Sequence, residues 1–208
     1  MNAIELSHVT KHFPGFTLQD LSLTVPSGTI CGLVGENGAG KSTTIRLLMG
    51  ALRPDSGTCT VLGADSAAPE FLSLKEDIGV VLDEAYFPES LNALQVGGVM
   101  AKTYRRWDGK QYQNYLTRFG LPEKKPFKDF SRGMKMKLAI AVALSHSPRL
   151  LVLDEAGSAE ELEMVDVGQL KKAVLERPAG CECVLTAHTP PQWMLDAADY
   201  STEMKCHR

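Results

Sequence analysis

Residues Gly35-Glu36-Asn37-Gly38-Ala39-Gly40-Lys41-Ser42-Thr43 constrain this chain more than any other stretch. They read G-x-x-x-x-G-K-[ST], a loop in which glycines let the backbone curl until successive N–H groups converge on one anion. Residues 29–34 before it form a short apolar run suited to a buried parallel strand. Ile45, Leu47, Leu48 and Met49 after it continue as a helix, with Gly50 at a C′ position. Strand, loop and helix together aim the positive end of the helix at bound phosphate. In that frame Lys41 reaches the β- and γ-phosphates and the Ser42 hydroxyl ligates Mg²⁺. The sequence thus predicts an α/β nucleotide-binding fold.

Bulk properties narrow the rest. A length of 208 residues suits one domain with a real core, and 44% apolar with 23% charged residues is ordinary globular composition. A net charge of −3 gives no electrostatic case for nucleic acid as a partner. No apolar run approaches the roughly 20 residues a bilayer requires. Residues 1–5 lack the basic and apolar regions of a signal peptide, so a cytoplasmic chain is expected unless a partner holds it at a membrane. Cys31, Cys59, Cys181, Cys183 and Cys206 are scattered and odd in number, which favours reduced structural thiols over the alternative of a metal pair at Cys181 and Cys183.

Residues 4–9 and 16–25 alternate apolar and polar side chains, as half-buried strands do. Residues 26–28 form a turn between them and the phosphate-loop strand. An antiparallel β layer is therefore expected beside the nucleotide core. Further strands are expected at residues 58–62, 78–82, 150–153 and 183–186. Residues 85–146 change character, carrying Tyr86, Phe87, Tyr104, Trp107, Tyr112 and Tyr115 in a helical pattern. The chain thus divides into an α/β core of residues 1–84 and 147–208 and a helical subdomain of residues 85–146, within one domain.

Leu150, Leu151, Val152 and Leu153 end in Asp154 and Glu155. A buried strand delivering two carboxylates beside a phosphate loop lets Asp154 hold Mg²⁺ through water, and lets Glu155 accept a proton from an attacking water. His188 follows the strand at 183–186, where a side chain can meet the γ-phosphate; a single histidine there is also an ordinary surface residue. Ser131 is a plausible N-cap for the helix that runs to Leu144, so that helix end and the Gly133 amide offer a second anion site. Any capped helix shares that appearance.

Together these parts resemble the nucleotide-binding subunit of ABC transporters over almost the whole chain. The phrases Ile78-Gly-Val-Val-Leu-Asp-Glu-Ala and Phe130-Ser-Arg-Gly-Met-Lys-Met-Lys are similar to ABC-2 type exporter ATPases of the bacitracin-resistance and lantibiotic-immunity kind. The resemblance implies a P-loop NTPase core of ABC ATPase type with an antiparallel β layer and an inserted helical subdomain. It implies that Phe13 stacks on adenine and that Ser131-Arg132-Gly133-Met134 is the signature that closes on the γ-phosphate of the opposite subunit. Glu155 becomes the general base, His188 the switch histidine, and residues 83–88 the lobe that couples to a membrane-spanning permease.

The sequence also departs from the family pattern. Asp83 stands where Gln is frequent; its carboxylate can still ligate Mg²⁺ while adding charge beside the phosphates. Residues 157–161 replace a small-residue turn ending Leu-Asp, and Glu155, Glu160, Glu161 and Glu163 are expected to repel their copies in a two-fold dimer. The end of the chain at Arg208, soon after the switch histidine, is expected to cost edge strands. The expectation is an ATP- and Mg²⁺-dependent hydrolase, peripheral at the inner face of the membrane. It would dimerise on ATP, with itself or another ATP-binding subunit, to energise an exporter. The alternatives are a nucleotide-binding regulator with little turnover and a non-transport cytosolic ABC ATPase.

Overall fold

The computed structural model describes residues 2–82, 87–155, 167–177 and 180–205. Strand alternation builds the first layer. β1 (Asn2–Phe13) and β2 (Phe16–Pro26) run antiparallel from Asn2 opposite Pro26 to Phe13 opposite Phe16. β4 (Ser56–Val61) pairs with the other side of β1, and β5 (Ala64–Asp65) completes the order β2-β1-β4-β5. Ile4 and Leu6 of β1 are buried while Glu5 and Ser7 face water, the period-2 pattern of a half-covered sheet, and an irregularity in register after Leu6 brings Val9 back to the buried face.

The second sheet is parallel, in the order β6-β7-β8-β3-β9. Its strands are β3 (Ile30–Gly35), β6 (Ile78–Val81), β7 (Leu150–Leu153), β8 (Glu182–Ala187) and β9 (Tyr200–Met204). β7 is apolar at every position because both faces are covered. Leu150 and Val152 join a core with Ile4, Leu6, Val61 and the helix α1 (Lys41–Leu48), which contributes Ile45, Leu47 and Leu48. Leu151 and Leu153 point the other way, into a core with Leu138, Ala141 and Leu116.

That second core belongs to α3 (Ala93–Thr103), α4 (Gly109–Arg118) and α5 (Arg132–Leu144), which occupy the stretch expected to be helical. α3 opens on a capping box, with Asn92 and Gln95 exchanging side-chain and backbone bonds. Asp108 caps α4 by accepting from the amides of Lys110 and Gln111. α5 lies so close to β6 that a Cβ on Gly79 would stand 2.8 Å from the Ala143 carbonyl oxygen. Shorter helices are α2 (Phe71–Leu74), α6 (Val167–Leu175) and α7 (Gln192–Ala197).

β9 was not foreseen. It pairs with the open side of β3, so the strand that carries the phosphate loop is flanked on both edges. A Cβ on Gly35 would stand 2.5 Å from the Met204 carbonyl oxygen, so the last residue of β3 must be glycine for β9 to approach. Cys31, Cys59, Cys181 and Cys183 are buried free thiols, and burial lifts Cys31 and Cys59 to about 11, well away from thiolate reactivity.

Candidate nucleotide site

The loop after β3 carries left-handed backbone at Gly38 (φ 89°) and Gly40 (φ 100°), a conformation that side chains resist. Gly40 is also the N-cap of α1 and supplies no side chain to the first turn. The leading amides of α1 are therefore left for an anion rather than for a cap. Lys41 is only 4% exposed. Its ammonium donates to the Gly35 carbonyl at 2.6 Å and the Glu36 carbonyl at 3.2 Å, and stands 3.4 Å from Glu155 Oε1. A buried cation held by its own loop can exchange those carbonyls for phosphate oxygens without moving far.

Parallel pairing delivers the carboxylates to the same place. The Asp154 amide donates to the Val81 carbonyl at 2.8 Å, extending the β7–β6 ladder by one residue. Register sets Leu153 opposite Leu185, so Thr186 of β8 falls beside Asp154. The Thr186 hydroxyl donates to Asp154 Oδ1 at 2.7 Å and accepts from the Glu155 amide at 2.8 Å. Ser42 Oγ donates to Asp154 Oδ2 at 3.5 Å. A hydroxyl and a carboxylate, both hard oxygen donors, form a set that suits Mg²⁺. Glu155 has φ 52°, a left-handed conformation costing about 1 kcal/mol in a non-glycine residue, at a turn that sets its carboxylate against Lys41.

His188 follows β8, and its Nδ1 lies 3.4 Å from the Gly35 carbonyl oxygen, at the base of the loop. Phe13, to which the resemblance gives adenine stacking, ends β1 opposite Phe16 of β2. The cleft of about 470 Å³ above the loop is lined by Phe16 together with Asn37, Gly38, Lys41, Thr43 and Glu155. Phe13 is stacked on Phe16 with ring centroids 6.1 Å apart. Thr186 and Phe16 are thus site residues that the sequence reading missed. Thr186 is the one polar side chain between Leu185 and Ala187, and Phe16 is the cross-strand partner of Phe13.

Ser131 caps α5 as expected, accepting from the Met134 amide at 3.2 Å. It is exposed, Gly133 is buried, and among the described residues neither lines the cleft. Asp83 and residues 157–161, together with Glu163, lie outside the described residues.

A phosphate loop after β3 facing a carboxylate pair at the end of β7, one strand removed across β8, is the arrangement of P-loop nucleotide-binding proteins. Residues 18–158 match the family described as ABC transporter, and the chain belongs to that family. It is 37% identical over 161 residues to the daunorubicin/doxorubicin resistance ATP-binding protein DrrA of Streptomyces peucetius, covering 74% of this chain and 48% of that protein. It is 32% identical over 155 residues to the bacitracin transport ATP-binding protein BcrA of Enterococcus faecalis, covering 73% and 50%. The chain spans about half the length of the curated relatives it matches. A dimeric ATP-binding cassette in a post-hydrolysis state with ADP and Pi superposes with TM-score 0.80 at 20% identity, over 97% of this chain and 94% of that one. The fold is that of ABC ATPase domains.

Proposed function

We propose that this chain binds and hydrolyses ATP and, by closing on a second ATP-binding subunit, energises an exporter of the ABC type. The supporting observation is the division of labour between two places. Lys41, Ser42 and Glu155 line one cleft, with Asp154 bonded to Ser42 and His188 beside the Gly35 carbonyl, whereas Ser131 and Gly133, at the start of α5, make no hydrogen bond to these groups among the described residues. A signature outside its own cleft acts on the nucleotide of a neighbour, which is either a second copy or a related subunit.

Lys41 and the open N-terminus of α1 hold the β- and γ-phosphates, and the Phe16 ring offers a face to adenine. Ser42 and Asp154, and Asp83 if its carboxylate reaches them, would hold Mg²⁺. When bound, the metal neutralises charge on the phosphate oxygens. Thr186 fixes Asp154 and the Glu155 backbone, so that a Glu155 carboxylate oxygen can take the proton of a water attacking the γ-phosphate. His188 stands ready to donate to that phosphate. No described helix is long and apolar enough to cross a membrane. Transport would come from a membrane-spanning permease that recruits the chain to the membrane surface.

Glu155→Gln is the direct test. The amide cannot accept the proton, so ATP affinity should persist while turnover falls by about 10²-fold or more. The ATP-bound dimer should then accumulate in light scattering coupled to size-exclusion chromatography. Full turnover in this variant would remove Glu155 as the base, and a monomer at saturating ATP would remove the association step.

A further inference from the structure

Residues 87–92 and 126–130 run alongside each other at the entrance to α5. The Phe127 amide donates to the Leu91 carbonyl at 2.8 Å, and the Lys128 amide to the Glu89 carbonyl at 3.1 Å. Asn92 and Pro126 form an antiparallel bridge between these bonds and α3. Side chains strengthen the same seam. The Phe127 ring is 3% exposed, and it meets Phe87 edge-on, with centroids 5.4 Å apart and planes at 88°.

The other contacts of that ring bracket the signature. Phe130, immediately before Ser131, packs on Phe127 at 5.9 Å. Lys135, one turn into α5, holds its ammonium 5.0 Å from the Phe127 ring centre, and its amide donates to the Ser131 carbonyl at 2.9 Å. One ring thus touches the residue before Ser131, the helix turn after it, and a segment that leads back toward β6. Edge-to-face ring pairs and cation–π contacts favour particular orientations, which bulk apolar burial does not.

We propose that Phe127 is a positioning residue, clamping the N-terminus of α5, and with it Ser131 and Gly133, to the strap of residues 87–92. The proposal rests on reading that helix end as the surface that meets the neighbour's nucleotide. The strap follows β6 in the sequence, and β6 pairs with the strand that leads into Asp154.

The test is hydrogen exchange by mass spectrometry on the full chain without nucleotide, comparing the wild type with Phe127→Leu, Phe87→Leu and the double variant. Leucine keeps apolar volume and removes the ring geometry. Exchange at the amides of Met134 and Lys135, both bonded to Ser131, should quicken by about three- to tenfold in each single variant. Amides of β3 and β8 should stay unchanged, and the double variant should be no faster than Phe127→Leu, because one contact is lost in both. Turnover should fall by a similar factor at unchanged ATP affinity of the monomer. A uniform rise across the sheets, or additive effects in the double variant, would make Phe127 a core residue only and overturn the clamp. Failure of the wild type to associate on ATP would instead overturn the proposed function, and the exchange result would still decide the clamp.

Discussion

Two helix N-termini in this chain face opposite fates. α1 begins at a left-handed Gly40 with no side-chain cap, and its first residue, Lys41, is buried in the cleft. α5 begins at Ser131, which spends its hydroxyl oxygen on the Met134 amide and stands exposed. Both ends carry the same partial positive charge. The first leaves its amides to an anion within its own chain, whereas the second shows a finished cap to whatever arrives from outside. In the proposed function, these two ends are the two halves of a site shared between subunits.

Thr186 tests the complete half most severely. Thr186→Val keeps the shape of β8 but strips one hydrogen bond each from the buried Asp154 carboxylate and the half-buried Glu155 amide. A loss of about 1–3 kcal/mol in the positioning of both carboxylates corresponds to roughly ten- to a hundredfold in turnover. Steady-state phosphate release measures it. Turnover within twofold of wild type would show that the carboxylates hold themselves.

Phe16 and Phe13 give a smaller effect and a sharper contrast. Phe16 lines the cleft and Phe13 is stacked on it, so Phe16→Ala should weaken ATP binding by about 1–3 kcal/mol, the worth of one base stacked on an aromatic ring. Phe13→Ala should cost less than half as much, acting only through its support of Phe16. Fluorescent ATP titration separates the two, and the opposite ranking would restore Phe13 as the adenine platform.

The smallest effect lies at the far end of α5. His146 is buried there, stacked on Tyr104 with centroids 4.0 Å apart, with Nδ1 3.1 Å from the Glu76 carbonyl oxygen. Burial holds its pKa below the ordinary 6.5, Arg106 pushes the same way, and Glu76 opposes. The neutral ring is the folded form. Its contribution to stability is therefore present above about pH 6.5 and is lost as pH falls through the lower folded pKa. His146→Phe keeps the stack and removes the proton, so it should flatten the acid side of the Tm–pH profile by a few degrees. Identical slopes in the two proteins would clear His146 of that role.

Where sequence reading succeeded, one local pattern sufficed. Alternation in residues 4–9 and 16–25 announced the antiparallel layer, the G-x-x-x-x-G-K-S run announced the loop and α1, and the apolar run into Asp154 and Glu155 announced β7. Ser131 was readable as a cap because capping needs only its own side chain and the amide three residues on. What escaped depends on neighbours distant in sequence. β9 is Tyr-Ser-Thr-Glu-Met, mostly exposed, and only its pairing with β3 makes it a strand. Thr186 earns its role through the register of β7 against β8. Phe16 joins the lining of the cleft through its place across the turn from Phe13, a fact of three-dimensional path rather than of motif. Asp83 and the acidic residues after Glu155 lie outside the described residues, so their expected roles stand as proposals.

The comparison of the two helix ends is tested most directly by mixing two variants that should each be inactive. Lys41→Ala removes the charge that holds the β- and γ-phosphates but leaves Ser131 intact. Ser131→Arg blocks the presented half while leaving its own cleft able to bind ATP. In a mixed dimer, the cleft of the Ser131→Arg chain meets the intact signature of the Lys41→Ala chain, which restores one complete site. The account predicts that an equimolar mixture hydrolyses ATP at an appreciable fraction of the wild-type rate, while either variant alone is at least about a hundredfold slower. A mixture no faster than the sum of its parts would contradict a site shared between subunits.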